Sequence, residues 1–332
     1  MKAAVIGAGT WGSAFALHLS RRGVETSLWV REKEVLAELL RTRENRTFLP
    51  GFPFPRTVSF SSDAPGTASS ADILFVAVPS QFFRAVFREI AGGLSPRQAV
   101  VSLTKGIEEH SLKRMTEIMA EVMSGRRLPH FAVLSGPSFA REVAEKHPTA
   151  VVVASKSHDV ARRVQSLISD INLRAYTSSD VTGVELAGAM KNVIAIAAGI
   201  SDAFKYGHNT RAALITRGIA EITRLGVVLG ARKDTFLGLA GIGDLVLTCT
   251  ARMSRNYHVG YELGKGRVLA GILAGTRTVA EGVVTTISVR ELAAQEHLEM
   301  PIAEEVYRIL YEGKKPRDSI RDLMLRSLKV EA

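Results

Sequence analysis

The sequence predicts an α/β protein in which an N-terminal doubly wound, mainly parallel sheet is followed by an all-helical C-terminal domain. Three observations carry this. Short β-rich runs alternate with helical patterns through the first half. A glycine-rich turn follows the first of those runs. Beyond about Asp180 strand signals stop, while long apolar-periodic segments continue. At 332 residues the chain exceeds one small core, and two domains are the natural division.

Strand candidates fall at 3–7, 25–30, 73–78, 99–103, 131–134 and 150–154, with helical stretches at 12–22, 32–43, 82–90 and 112–123. Such alternation reads as a sheet covered by helices. In the second half, 181–200, 211–229, 282–296 and 303–311 carry the helical period. The boundary lies at Tyr176, Thr177, Ser178, Ser179 and Asp180, polar residues that also supply a helix N-cap. It divides the chain into 1–178 and 179–332.

Composition narrows the class. Hydrophobic residues make up 46% and charged residues 23%, as in an ordinary globular protein rather than a disordered one. The one cysteine, Cys249, rules out an internal disulfide and suits a reducing compartment. No Cys/His cluster has the spacing of structural zinc, so no metal is expected. The longest apolar run, 193–200, is far shorter than the roughly 20 residues of a membrane span. The N-terminus opens into a strand-like run with no signal pattern. A cytoplasmic protein without stable membrane insertion is the expectation. The net charge of +10 raises nucleic acid as a partner, but the basic pairs Arg21-Arg22, Arg126-Arg127, Arg162-Arg163 and Lys314-Lys315 are scattered, with no aromatic-interleaved stripe. Solvated surface, with some attraction for small anions, is the reading.

Gly7-Ala8-Gly9-Thr10-Trp11-Gly12 is a G-x-G-x-x-G between a strand and a helix. The first glycine allows the tight turn, the second admits a pyrophosphate against the backbone, and the third lets helix pack on strand. Its context satisfies the requirement for a Rossmann-like dinucleotide site. At the second strand's end an acidic residue would hold an NAD ribose; here Arg31 stands near the tip, with Glu32 next. Arginine favours a 2′-phosphate, hence NADP(H) ahead of NAD(H). Arg31 as a strand-end residue with Glu32 serving NAD(H) is the alternative.

Ala77-Val78-Pro79-Ser80 and Ser102-Leu103-Thr104-Lys105-Gly106 close further strands at the sheet edge where cofactor-lining loops gather. Lys105 there is either a ligand contact or a surface lysine. Four further clusters look chemical. Ser135-Gly136-Pro137-Ser138-Phe139-Ala140 offers amides and a hydroxyl to an anion or opens an ordinary helix. The glycine-rich stretch 238–244 delivers an isolated carboxylate, Asp244. Ser254-Arg255-Asn256 suits a phosphate or carboxylate. Val279-Ala280-Glu281-Gly282 places a carboxylate in a turn ahead of a helix. Each of these is otherwise a structural loop.

Lys191 lies within 184–200, where nearly every neighbour is small or apolar. Either its long side chain snorkels to water, or a buried amine with a depressed pKa moves protons.

In this order the motifs resemble the bacterial-type NAD(P)-dependent glycerol-3-phosphate dehydrogenase family. The resemblance spans essentially the whole chain: the 7–12 fingerprint, Thr104-Lys105-Gly106, Gly136 to Ala140, Gly188-Ala189-Met190-Lys191-Asn192-Val193-Ile194-Ala195, Asn209, Gly241 to Leu245, Ser254-Arg255-Asn256 and Glu281-Gly282. Ala203 departs from it, standing where the family usually has Gly after Asp; this bears on local loop geometry. The resemblance implies interconversion of dihydroxyacetone phosphate and sn-glycerol 3-phosphate with NAD(P)(H), supplying glycerol backbones for phospholipids. It implies Lys191 as the proton acceptor in oxidation, with Lys105 and Asp244 flanking the reacting oxygen. Substrate contacts would be Lys105, Gly136, Ser138, Lys191, Asp244, Ser254, Arg255 and Asn256. Cofactor contacts would be Gly7, Gly9, Thr10, Trp11, Gly12, Arg31, Lys105, Ala140, Arg255, Val279 and Glu281. By analogy with relatives, a homodimer is expected. Two rival readings are a related dehydrogenase acting on a 3-hydroxy acid or ketopantoate-like substrate, and a non-catalytic NAD(P)H-sensing module.

Overall fold

A computed structural model describes residues 1–126, 129–275, 278–328 and 330. Arg127 of the basic pairs and the last two residues of the chain lie outside the described residues. The first half forms one eight-stranded sheet: β1 (Lys2–Ile6), β2 (Glu25–Trp29), β3 (Val58–Ser61), β4 (Ile73–Val76), β5 (Ala99–Ser102), β6 (His130–Ser135), β7 (Thr149–Ser155) and β8 (Leu173–Ser178). Its order is β3-β2-β1-β4-β5-β6-β7-β8. All pairings are parallel except β6 with β7. The order reverses direction between β1 and β4, so the loops after these two strands frame the crevice where an open α/β sheet binds ligands.

All six expected strands are present, to within one or two residues at each end. β3 and β8 were not anticipated. Val58–Ser61 is four residues with a mixed burial pattern, and Leu173–Ser178 alternates buried with exposed positions and carries Arg174 and Tyr176 outward. Edge strands wet on one side lack the apolar run that marks the central ones. The antiparallel step also departs from simple alternation. Between β6 and β7 the helix Ala140–Ala144 is only five residues, packs on the helix Thr10–Arg21 and returns at the same sheet edge. Arg21 Nη1 fastens it by donating to the Ala144 carbonyl at 2.7 Å. The helix expected at 112–123 begins only at Met115, because His110 and Leu112 adopt left-handed backbone angles.

After β8 the chain is helical. The Asp180 carboxylate caps the helix Val181–Ala203 by accepting from Gly183 N at 2.9 Å, and also accepts from Arg232 N and the Thr235 hydroxyl. By length and composition this helix could cross a membrane, yet 94% of its apolar window is buried inside the protein. It is the axle of the second half: the helices Gly207–Val228, Asp244–Thr250, Arg255–Gly264 and Glu281–Gln295 all pack on it. Ala203 ends it in ordinary helical geometry, with its methyl facing Gly264, and the left-handed residue follows at Lys205.

The same helix docks onto the sheet half. Gly188 lies against Ser135 and Lys105, where a Cβ would come within 2.7 Å of the Ser135 hydroxyl. Nearer its start, the buried Glu185 accepts from Thr116 N at 2.9 Å, from the Thr116 hydroxyl and from Arg114. Burial pushes its carboxyl up, against the opposing pull of Arg114 and Thr116.

Candidate active site

The glycine turn joins β1 to the helix Thr10–Arg21. A Cβ at Gly12 would stand 1.9 Å from the Gly7 carbonyl, so only glycine lets the helix start so close to the strand. At Gly9 the corresponding position meets nothing within 4 Å, leaving the backbone open to a ligand. The Trp11 indole N–H is buried with no partner, and its ring packs on Phe15. An open turn, a helix N-terminus and an orphaned donor suit a dinucleotide. Arg31, two residues beyond β2, is exposed and holds its guanidinium 5.5 Å from the ring of Phe82, at the start of the helix Ser80–Ala91. Phe82 is an exposed aromatic on the same edge that sequence reasoning did not single out.

Lys191 and Asp244 are both buried. The Lys191 ammonium donates to Asp244 Oδ1 and, at 2.7 Å, to the Thr248 hydroxyl. Lys105 Nζ reaches the other carboxylate oxygen, Asp244 Oδ2, at 2.7 Å, and the Gly136 carbonyl at 2.9 Å. One carboxylate thus sits between two ammonium groups, one from each half of the chain. Asp244 is not the isolated carboxylate its sequence context suggested. Nor is 238–244 a loop: Leu239–Gly243 is a widened helical turn, Gly243 N bonding the Gly238 carbonyl at 3.2 Å, which runs into the helix Asp244–Thr250. Thr248, one turn past Asp244 on the same face, was also missed, although i, i+4 spacing predicts their contact.

Desolvation dominates at Lys191. It pulls the ammonium pKa down to about 8, with Lys105 adding to the effect and Asp244 opposing it. At Asp244 burial acts to raise the pKa, but the two ammonium groups outweigh it and hold the carboxyl below its usual range. The buried Cys249 thiol, one residue past Thr248, is pushed up to about 12 by burial and stays protonated.

The adjacent Asn192 amide donates to the Lys105 carbonyl at 3.3 Å, and its oxygen accepts from Asn256 Nδ2 at 2.9 Å. Asn256 Oδ1 accepts in turn from Gly282 N. Ser254 is the N-cap of the helix Arg255–Gly264, its hydroxyl accepting from Tyr257 N at 3.2 Å. Ser254 and Asn256 are therefore already engaged in building the site. Arg255 Nη2 donates to the Thr10 hydroxyl at 2.9 Å, and Nη1 to the Val279 carbonyl at 3.4 Å. Ser138 donates to the Gly136 carbonyl, and Ala140 opens the short helix nearby. Glu281 is the first residue of the helix Glu281–Gln295 rather than part of a preceding turn, and it accepts from Ser80 N at 2.9 Å and from the Ser80 hydroxyl. Ser80 is a second partner the sequence did not reveal.

Two family models match the chain, the NAD-dependent glycerol-3-phosphate dehydrogenase N-terminus over residues 2–161 and its C-terminus over 180–321. The chain belongs to this family. A relative from Syntrophotalea carbinolica, named glycerol-3-phosphate dehydrogenase (NAD(P)+), is 50% identical over 331 residues, covering 100% of this chain and 99% of its own. The crystal structure of glycerol-3-phosphate dehydrogenase from Coxiella burnetii superposes with a TM-score of 0.94 at 37% identity, over 98% of this chain and 99% of that one. A ketopantoate reductase from Ralstonia eutropha shares the fold alone, with a TM-score of 0.61 at 16% identity over 96% of this chain and 100% of its own. Lys105 falls in the first matched segment, and Lys191 and Asp244 fall in the second, so the ion-pair cluster joins the two.

Proposed function

We propose that this dehydrogenase interconverts dihydroxyacetone phosphate and sn-glycerol 3-phosphate, with Lys191 as the general acid and base. The observation that carries the reading is the cluster in which the buried Asp244 joins the buried Lys191 to the part-buried Lys105, in a chain whose Arg255 guanidinium reaches the glycine turn. Residues 1–178 form the dinucleotide-binding domain and 179–332 the substrate-binding domain, each lending residues to the other's ligand. A bound nicotinamide supplies or accepts the hydride. In reduction, Lys191 gives an Nζ proton to the C2 oxygen; in oxidation it takes the C2 hydroxyl proton. Lys105 stabilises negative charge on that oxygen, and Asp244 keeps both ammonium groups oriented.

Arg255 engages the substrate phosphate, and its link to Thr10 lets one side chain serve both ligands. Gly136, Ser138 and Asn256 complete the substrate contacts, with Ser254 capping the helix that carries Asn256. Gly7, Gly9, Thr10, Trp11, Gly12, Ala140, Val279 and Glu281 surround the cofactor. Arg31, exposed past the end of β2, favours NADPH over NADH. Closure of the two halves excludes water from the transfer. The product feeds phospholipid synthesis in the cytoplasm, and the active species is a homodimer.

The test is a reduced-nicotinamide absorbance assay with dihydroxyacetone phosphate, unphosphorylated dihydroxyacetone and ketopantoate, each with NADPH and NADH. Oxidation of NADPH with the phosphorylated triose alone is the expected result. Turnover of ketopantoate, or of none of the three, overturns the reading.

A further inference from the structure

Asn45 is fully buried, in the loop that follows the helix Lys33–Thr42, and nothing in the proposed chemistry uses it. Its amide nitrogen donates to the Ala8 carbonyl at 2.8 Å and to the Ser13 hydroxyl at 2.9 Å. The Ser13 hydroxyl donates to the same Ala8 carbonyl at 3.1 Å. At its other end, Asn45 Oδ1 accepts from Phe48 N at 3.1 Å, and its main-chain carbonyl accepts from Leu49 N at 2.8 Å. The side chain is thus fixed at both ends, with one amide bond to the glycine turn at Ala8 and the other to Ser13, in the first turn of the helix that follows.

Ala8 is the residue between the first two glycines. In a trans peptide the carbonyl and the following N–H point in opposite directions. Holding the Ala8 oxygen inward therefore turns the Gly9 N–H the opposite way, on a residue whose Cβ position is also open, with nothing within 4 Å. Among the described residues that N–H makes no hydrogen bond. A loop this rich in glycine could rotate the peptide at little steric cost, so its orientation needs an external hold.

We infer that Asn45, acting with Ser13, is a positioning residue for dinucleotide binding: it locks the Ala8–Gly9 peptide so that the Gly9 N–H faces the pyrophosphate. The inference rests on the dinucleotide reading of the turn and adds a residue that touches no ligand. Asn45→Asp keeps the shape and the Oδ1 acceptor but replaces the donor with a carboxylate oxygen facing the Ala8 carbonyl. Ser13→Ala removes one hydroxyl and keeps Asn45.

The experiment is fluorescence titration of NADPH and NADH into the wild-type protein and both variants, with kcat and the KM for dihydroxyacetone phosphate measured at saturating cofactor. N45D should raise the cofactor Kd about tenfold, the size of one hydrogen bond lost, and S13A about threefold. In both, kcat at saturation and the triose phosphate KM should stay close to wild type. Unchanged Kd values overturn the inference, as does a fall in kcat that tracks a fall in melting temperature, because a merely structural role would give that. If N45D does not fold, S13A decides alone: an unchanged Kd there overturns the inference. A wild-type protein that binds neither nucleotide removes the dinucleotide reading itself.

Discussion

The Arg255 guanidinium donates to the Thr10 hydroxyl at 2.9 Å, joining residues 245 positions apart in sequence. One comes from the glycine turn and the other from the first turn of a helix in the C-terminal half. On the proposed reading, a side chain placed there would meet cofactor and substrate together.

Arg255→Ala should therefore weaken both ligands. The KM for dihydroxyacetone phosphate should rise at least about tenfold, as expected for a charge-assisted contact worth ~1.5–3 kcal/mol. The cofactor Kd should rise less. Steady-state kinetics with each substrate varied in turn measure both, and an unchanged triose phosphate KM would place the phosphate elsewhere.

The depressed Lys191 pKa fixes the direction of the pH dependence. With a value of about 8, reduction, which needs the ammonium, should be flat below pH 8 and fall above it. Oxidation, which needs the free amine, should rise through the same pH. The unfolded chain binds this proton more tightly than the folded one. This group's contribution to stability should therefore increase between pH 8 and 10.5 rather than decrease. Rate profiles in the two directions with a common inflection check the assignment, and an inflection absent from both contradicts it.

Asp244→Asn removes the negative charge that opposes desolvation at Lys191 while leaving Lys105 in place. The inflection should move to lower pH, and kcat should fall because two ammonium groups lose their shared anchor. A shift to higher pH would show that the carboxylate is not the dominant neighbour.

Glu185 tests how the lysine helix is seated. Glu185→Ala strips Arg114 and Thr116 of a buried partner, which should cost about 3 kcal/mol, read as a lower urea midpoint. A midpoint within experimental scatter of wild type would show that this contact is not what docks the helix on the sheet half.

The central strands and the axle helix were legible because each is a run of apolar residues whose burial is nearly complete. β3 and β8 were not, since a half-wet edge strand shows little apolar excess. The motifs also named most of the groups that the fold pairs: Lys191 and Lys105 with Asp244, and Arg255 with Thr10. What the sequence could not supply was pairing across the fold. Nothing in the local context of Asp244 announces two lysines, one of them 139 positions away, and nothing near Glu281 announces Ser80, 201 positions away. Thr248 was within reach of helical periodicity, but 238–244 read as a loop, so the period was not carried through it.

The most direct measurement is the turnover of Lys191→Ala alongside its cofactor affinity. General acid–base catalysis by Lys191 predicts a kcat lower by about 10²–10⁴-fold, with the NADPH Kd within about twofold of wild type. Turnover near the wild-type rate in a folded, NADPH-binding variant would contradict the assignment.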